Sequence, residues 1–219
     1  MSYGESMMDV VYLVERHTAA FEAARTSVDI VCAGDSLTGW NNSGPVQDWP
    51  FRTYPEFLQE LCTPLGLRVA NGGIAGEVSD NGPQQIEDYL GLFPNARFII
   101  VGMGTNDLGT WPGTEAASRR ILDNLARMVE TVLERGKQPV LFNVPQVNEQ
   151  MFPVDWRREI RAKRDYHNPR LKVFCDERAI PLADICCLLR DEHFGDELHP
   201  NDRGAKIIAE SVFQVLPKE

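Results

Sequence analysis

The chain has 219 residues, 43% hydrophobic and 25% charged, which is enough for one buried core, and no shift in composition divides it, so a single domain over residues 1–219 is expected. A formal net charge of −10 argues against nucleic acid or an anionic membrane surface as partner, since either calls for a basic stripe. No apolar run reaches membrane-spanning length, and Glu5 and Asp9 stand where a secretory leader carries Lys or Arg, so a cytoplasmic protein without membrane insertion is expected.

Residues 6–25 repeat apolar positions at helical spacing (Val10, Leu13, Val14, Phe21), which makes residues 1–27 a lead-in helical segment. It packs either on the domain or on a second copy, the latter giving a homo-oligomer. Residues 28–33 read as a buried strand ending in Gly34-Asp35-Ser36-Leu37-Thr38-Gly39, and a Trp/Pro/Asn-rich loop over 39–53 is long enough to help form a site. A helix over 54–62 follows. A second strand over 67–71 leads into Asn71-Gly72-Gly73-Ile74-Ala75-Gly76, a run suited to positive φ and close backbone approach, and then a helix over 83–92. The third strand, 98–103, is apolar throughout, as for a strand buried on both faces, and ends in Gly104-Thr105-Asn106-Asp107.

A long helix over 114–135 carries an apolar stripe at Ile121, Leu125, Met128 and Leu133 and is stopped by Gly136; a fourth strand spans 139–144. A second long loop, 145–155, precedes a charged helix over 156–179 that Pro169 is expected to interrupt. Its cations (Arg157, Arg158, Arg161, Lys163, Arg164) read as a solvated face in preference to a phosphate site. A fifth strand over 180–185, a loop to Asp196-Glu197-Leu198-His199-Pro200, and a helix capped by Asn201 and running to 215 complete the chain. The alternation predicts an α/β fold, a three-layer α/β/α sandwich on a flavodoxin-like parallel sheet of about five strands. The five cysteines (Cys32, Cys62, Cys175, Cys186, Cys187) lack metal-ligand spacing and read as reduced core residues.

Parallel connections carry the turns after strands one, two, three and five to one rim of the sheet, where ligands bind at the point of strand-order reversal. Ser36 and Asn106 then face each other there. A serine hydroxyl needs a base to take its proton, and His199 supplies a neutral imidazole; Asp196, three residues earlier, can hold its Nδ1 tautomer. An oxyanion needs fixed donors, and the Ser36 and Gly76 backbone N–H groups with the Asn106 amide supply three. Each residue alone has an ordinary structural role in a turn or cap. Four complementary roles on one rim outweigh those separate readings.

These blocks resemble those of the SGNH hydrolases, or GDSL esterase/lipase family: Gly34-Asp35-Ser36-Leu37, Asn71-Gly72-Gly73-Ile74-Ala75-Gly76-Glu77, Gly104-Thr105-Asn106-Asp107 and Asp196-Glu197-Leu198-His199 stand in the family's order, over residues 28–215. The resemblance implies Ser36 as nucleophile, Ser36, Gly76 and Asn106 as oxyanion donors, Asp196 and His199 as the rest of a triad, and Asp35 and Asp107 as supports of their loops. Glu77-Val78 departs from the Asp-Thr of many members, a change that touches the capping of the loop. The α/β-hydrolase elbow is set aside because its second glycine is missing, and a dinucleotide fingerprint because Asp107 stands at the third glycine's place.

The expected activity is serine esterase or acyl hydrolase chemistry on small carboxylic esters, with O-acetyl groups on carbohydrates leading and thioester or lysophospholipid hydrolysis next. No metal and no organic cofactor is called for. Two rivals stand beside it: a metal-dependent hydrolase using Asp191, Glu192, His193, Asp196 and His199, and a non-catalytic ligand-binding module. The four tryptophans, Trp40, Trp49, Trp111 and Trp156, fall after strand ends, where some line a pocket and at least half serve as anchors.

Overall fold

Each apolar run that ends in a glycine-rich or polar turn becomes a strand of one parallel sheet. In the computed structural model, which describes residues 22–40, 49–151 and 153–217, the strands are β1 (Ile30–Gly34), β2 (Val69–Gly73), β3 (Phe98–Gly102), β4 (Gln138–Phe142) and β5 (Leu182–Ala183). They stand in the order β2-β1-β3-β4-β5, all parallel, so the order reverses between β1 and β3. Every residue of β1 and β3 is buried, which is why these strands read as unbroken apolar runs.

Alternate side chains feed two layers. Val31, Ala33, Ile99, Val101 and Leu141 pack beneath α3 (Gly82–Leu92), α5 (Thr114–Glu134) and α6 (Val154–Arg178), through Ile86, Ile121, Leu125 and Leu171. Ile30, Cys32, Ile100, Val140 and Phe142 pack on the other face beneath α2 (Tyr54–Cys62) and α7 (Asp202–Val215), through Tyr54, Leu58, Ile208 and Val212. Two short helices, α1 (Ser36–Gly39) and α4 (Thr105–Thr110), leave the carboxyl ends of β1 and β3. This is the three-layer sandwich expected from the sequence. No helix among the described residues is long and apolar enough to cross a membrane.

Four expectations are corrected. Strand β2 lies two residues later than predicted, because Gly72 and Gly73 pair with Ala33 and Gly34 of β1 before the chain turns. Pro169 does not interrupt α6. A proline inside a helix costs about 3 kcal/mol. Here Asn168 beside it binds both the N–H and the carbonyl of Val144, at 3.2 and 2.8 Å, and Leu171 is fully buried, so packing on the β4 side offsets the lost bond. Nor is the basic cluster of α6 a plain solvated face. Lys163 is buried, donating to the carbonyls of Leu108 (3.0 Å) and Trp111 (2.7 Å), while Arg157 donates to the Glu149 carbonyl and Arg161 pairs with the Glu149 carboxylate. β5 has shrunk to two residues. Of the lead-in segment only residues 22–27 are described, 22–26 as helix, and most of the 39–53 loop likewise lies outside the described residues.

Cys32, Cys62 and Cys175 are buried, with burial pushing their thiols to about 12, 11 and 12, so they stay protonated; Cys186 is half-buried and Cys187 exposed.

Candidate active site

Gly34, Gly73 and Gly102 lie side by side in the sheet, so the segments after β1, β2 and β3 leave it at one level. The glycines at this level are a packing requirement: a Cβ on Gly73 would stand 2.2 Å from the backbone nitrogen of Gly39, so α1 can lie on the end of β2 only without it. Asp35 caps α1, its Oδ1 accepting the Leu37 N–H at 2.9 Å. Ser36 is thus the first helical residue, and its N–H has no intrahelical acceptor.

His199 arrives from the far end of the sequence on a closed loop. An antiparallel bridge joins Phe194 to Pro200, and the Gly195 N–H donates to the His199 carbonyl at 2.8 Å. Inside it, Asp196 Oδ1 accepts the N–H groups of Leu198 (2.8 Å) and His199 (2.6 Å), and Oδ2 meets His199 Nδ1 at 2.8 Å. His199 Nε2 stands 3.0 Å from Ser36 Oγ. A carboxylate at Nδ1 fixes the proton there and leaves the Nε2 lone pair facing the hydroxyl. Burial pushes the Asp196 carboxyl up, but its bonds from the His199 ring and from the two backbone N–H groups outweigh that and hold it below the usual range. The sequence expectation placed these three side chains together, and the structure does so.

The other expected residues lie on the same rim. Gly76 has φ +79°, the left-handed region. Asn106, near the start of α4, donates one Nδ2 hydrogen to the Glu77 carbonyl at 2.8 Å, which ties the asparagine helix to the glycine loop and leaves its second amide hydrogen for another acceptor. Glu77, where the blocks depart from the Asp-Thr pattern, closes the loop itself: its Oε1 accepts from Val78 N–H at 3.1 Å and Asn81 Nδ2 at 2.6 Å. Asp107 holds the loop from below, Oδ1 accepting both the N–H (2.9 Å) and the hydroxyl (2.6 Å) of Ser79.

Asp35 is fully buried, and its Oδ2 has no hydrogen-bond partner among the described residues. Burial, aided by the nearby Asp107 charge, pushes its pKa from 3.8 up to about 7, against the pull of the Leu37 N–H. The native state therefore keeps a proton that the unfolded chain releases, and the cost to stability grows as pH rises from about 3.8 to about 7. Asparagine caps as well as aspartate and carries no charge. Asp35→Asn is therefore expected to melt progressively above wild type between pH 4 and pH 8, by on the order of a few kcal/mol at the top. Calorimetry across that range checks it, and a gap between the two proteins independent of pH would refute the assignment.

Sequence reasoning left the roles of two parts of the site unassigned. Trp40, the residue that ends α1, stacks on the His199 imidazole with ring centroids 3.6 Å apart and planes 23° from parallel. Trp49 stands nearly perpendicular to both rings, at 6.1 Å from Trp40 and 5.9 Å from His199, and packs edge-on against Phe51 at 5.3 Å. Trp49 and Phe51 also fill the space over Gly195, where a Cβ would lie 2.6 Å from each ring. The signals were the length of the 39–53 loop and the place of both tryptophans after a strand end, where some of the four were expected to line a pocket. Asn148, in the long loop after β4, is the second omission: its N–H donates to the Glu197 carbonyl at 3.0 Å and its side chain to that of Asp196 at 3.4 Å. Trp111 instead takes Arg120 over its ring at 4.2 Å, and Trp156, predicted after a strand end, lies in the first turn of α6, exposed.

The cluster weighed as a metal site does not converge. Asp191 Oδ1 accepts from Glu149 N–H, His193 Nδ1 from Arg190 N–H, and Asp196 and His199 are engaged with each other. A cleft of about 530 Å³ lined by Leu65, Leu67, Phe98, Phe213 and Leu216 lies at the amino end of β3, away from Ser36.

The model of the family described as GDSL-like lipase/acylhydrolase matches residues 32–207. No curated protein is similar enough in sequence to count as a match. Solved structures share the fold. A member of the lipolytic protein G-D-S-L family from Veillonella parvula is 22% identical with a TM-score of 0.62, over 86% of this chain and 98% of its own. The lipase Lip_vut3 from a goat rumen metagenome is 17% identical with a TM-score of 0.67, over 86% and 97%. TesA is 19% identical with a TM-score of 0.61, over the same shares.

Proposed function

Since the chain belongs to the GDSL-like lipase/acylhydrolase family and is a carboxylic ester hydrolase, we propose that it acts through an acyl-enzyme on Ser36. The observation that carries this reading is the unbroken chain from Ser36 Oγ to His199 Nε2 (3.0 Å) and from His199 Nδ1 to Asp196 Oδ2 (2.8 Å). His199 takes the serine proton as Oγ attacks the ester carbonyl, and Asp196 steadies the imidazolium. The tetrahedral oxyanion is held by Ser36 N–H, Gly76 N–H and the second amide hydrogen of Asn106. The imidazolium then protonates the departing alcohol, and water, activated by the same ring, releases the acid. No step of this relay calls for a metal or an organic cofactor.

The substrate is a small O-acyl ester, with acetylated carbohydrate as the leading class. Supporting this, Ser36 and His199 are only 4% and 8% exposed, and the aromatic cover over His199 narrows the approach while offering a face to a sugar ring. A fluorophosphonate reagent should label Ser36 in wild type and leave His199→Ala unlabelled; labelling at another residue would overturn the assignment.

Asn106 permits a second test. Asn106→Ala should lower kcat roughly 10²- to 10³-fold with a modest change in KM, because the donor acts on charge that develops only in the transition state. Steady-state kinetics beside a melting curve separate this from loss of the Glu77 tie, and an effect confined to KM would make Asn106 a substrate-binding residue.

A further inference from the structure

Trp40 covers His199 in a geometry that discriminates between the two charge states of the imidazole. Neutral aromatic rings avoid a centroid-over-centroid stack, because both faces carry negative quadrupole density, and prefer offset or edge-on pairs 4.5–7 Å apart, roughly. At 3.6 Å and 23° the indole lies nearly flat on the imidazole. A cationic ring in that position is attracted to the indole face. We propose that Trp40 is a positioning residue that holds the His199 ring in plane with Ser36 Oγ and, through its π face, favours the imidazolium formed when the serine gives up its proton. This rests on the reading of His199 as the base.

Three further observations support the role. Trp40 is the C-cap of α1, the turn whose first residue is Ser36, so nucleophile and stacking ring stand at the two ends of one five-residue stretch. Trp49 braces Trp40 and His199 edge-on and, with Phe51, packs over Gly195 at the start of the loop that presents Asp196. The two in-plane bonds of His199 fix the edges of the ring but not its tilt about the line joining Nδ1 and Nε2; a stacked indole supplies that restraint.

Asp196 is the charged group bonded to His199. Among the described residues, the titratable groups on the surrounding elements include Asp35 at the amino end of α1, Arg52 beside Phe51, Glu149 and Asp191 where the loop after β4 meets the one before α7, Arg190, Glu192 and His193 in that same loop, and Glu197 beside Asp196. A test that leaves all of them in place replaces the indole of Trp40 site-specifically with mono-, di- and trifluorotryptophan. Fluorine drains the π face with almost no change of shape. The His199 midpoint is followed by NMR of its ring carbon, in wild type and in Ser36→Ala, and kcat/KM is measured against pH with an activated acetyl ester. Expected is a stepwise fall of the His199 midpoint with fluorination, reaching about 0.4 to 1.5 pH units in Trp40→Leu, and an accompanying fall of about 2- to 30-fold in plateau kcat/KM. A midpoint that stays put across the fluorinated series overturns the proposal, whatever happens to Trp40→Leu. Should Ser36→Ala retain full activity while the NMR midpoint still moves, the hydrolytic reading of Ser36 fails and the pairing of Trp40 with His199 stands.

Discussion

Ser36→Ala and His199→Ala are each expected to lower kcat by roughly 10⁴- to 10⁶-fold, leaving only oxyanion stabilisation and binding. Both variants should fold. Alanine is well suited to the first position of α1, whose cap is the Asp35 carboxylate and not the serine. His199 contributes its backbone carbonyl to Gly195 and its backbone N–H to Asp196, and alanine keeps both. The decisive comparison is the double variant: since hydroxyl and imidazole act as one relay, removing both should cost no more than removing either. Burst and steady-state kinetics on an activated acetyl ester measure this. Two independent, multiplying losses would mean that the 3.0 Å contact between Nε2 and Oγ is not the path of the proton.

Asp196→Asn is the second large effect, expected at roughly 10⁴-fold in kcat by analogy with the same exchange in serine protease triads. The reason is visible in how the two carboxylate oxygens divide their work. Oδ1 takes the N–H groups of Leu198 and His199 and shapes the loop; Oδ2 takes the Nδ1 proton. An asparagine oxygen can still close the loop, so the backbone survives, but its amide then presents N–H groups to Nδ1 and selects the tautomer with the proton on Nε2, which cannot accept from serine. Asp196→Ala should in addition lower the melting temperature, because the loop loses its acceptor. Loss of the carboxylate also removes what favours the imidazolium, so any residual acid limb of kcat/KM should move to lower pH. An intact profile for Asp196→Asn, with activity abolished by Glu197→Gln or Asp191→Asn, would reassign the orienting carboxylate.

What could be read from the chain in advance follows the range of the interactions that decide it. Helix α2 was legible to the residue, since Thr53 and Glu56 form a capping box with Pro55 in the first turn, all local signals. β1 and β3 were legible because burial on both faces leaves no polar positions to confuse the pattern. The end of β2 was not, because glycines that mark a loop by their own preference are here forced into the sheet by pairing with β1. The Ser36, Asp196 and His199 grouping could be inferred from chemistry, each supplying what the others lack. Trp40 gave only its place after a strand end and Asn148 no hint: their roles exist only once the loops after β1 and β4 meet the one before α7, and nothing in their local sequence encodes that meeting. Pro169 misled for the complementary reason, since a local rule was overruled by Asn168 binding across to Val144.

The contact between Ser36 and His199 joins residues 163 apart in sequence. Closing so distant a pair is among the last events as a chain gains structure, because the entropy of the intervening loop must be overcome first by other packing. Here that packing is α7 docking beside α2, with Asp202 Oδ1 accepting the Arg52 N–H at 2.8 Å. On the proposed relay, a chain whose α7 has not docked would carry the serine turn, glycine loop and asparagine helix while remaining inert, and the onset of turnover would report the seating of α7.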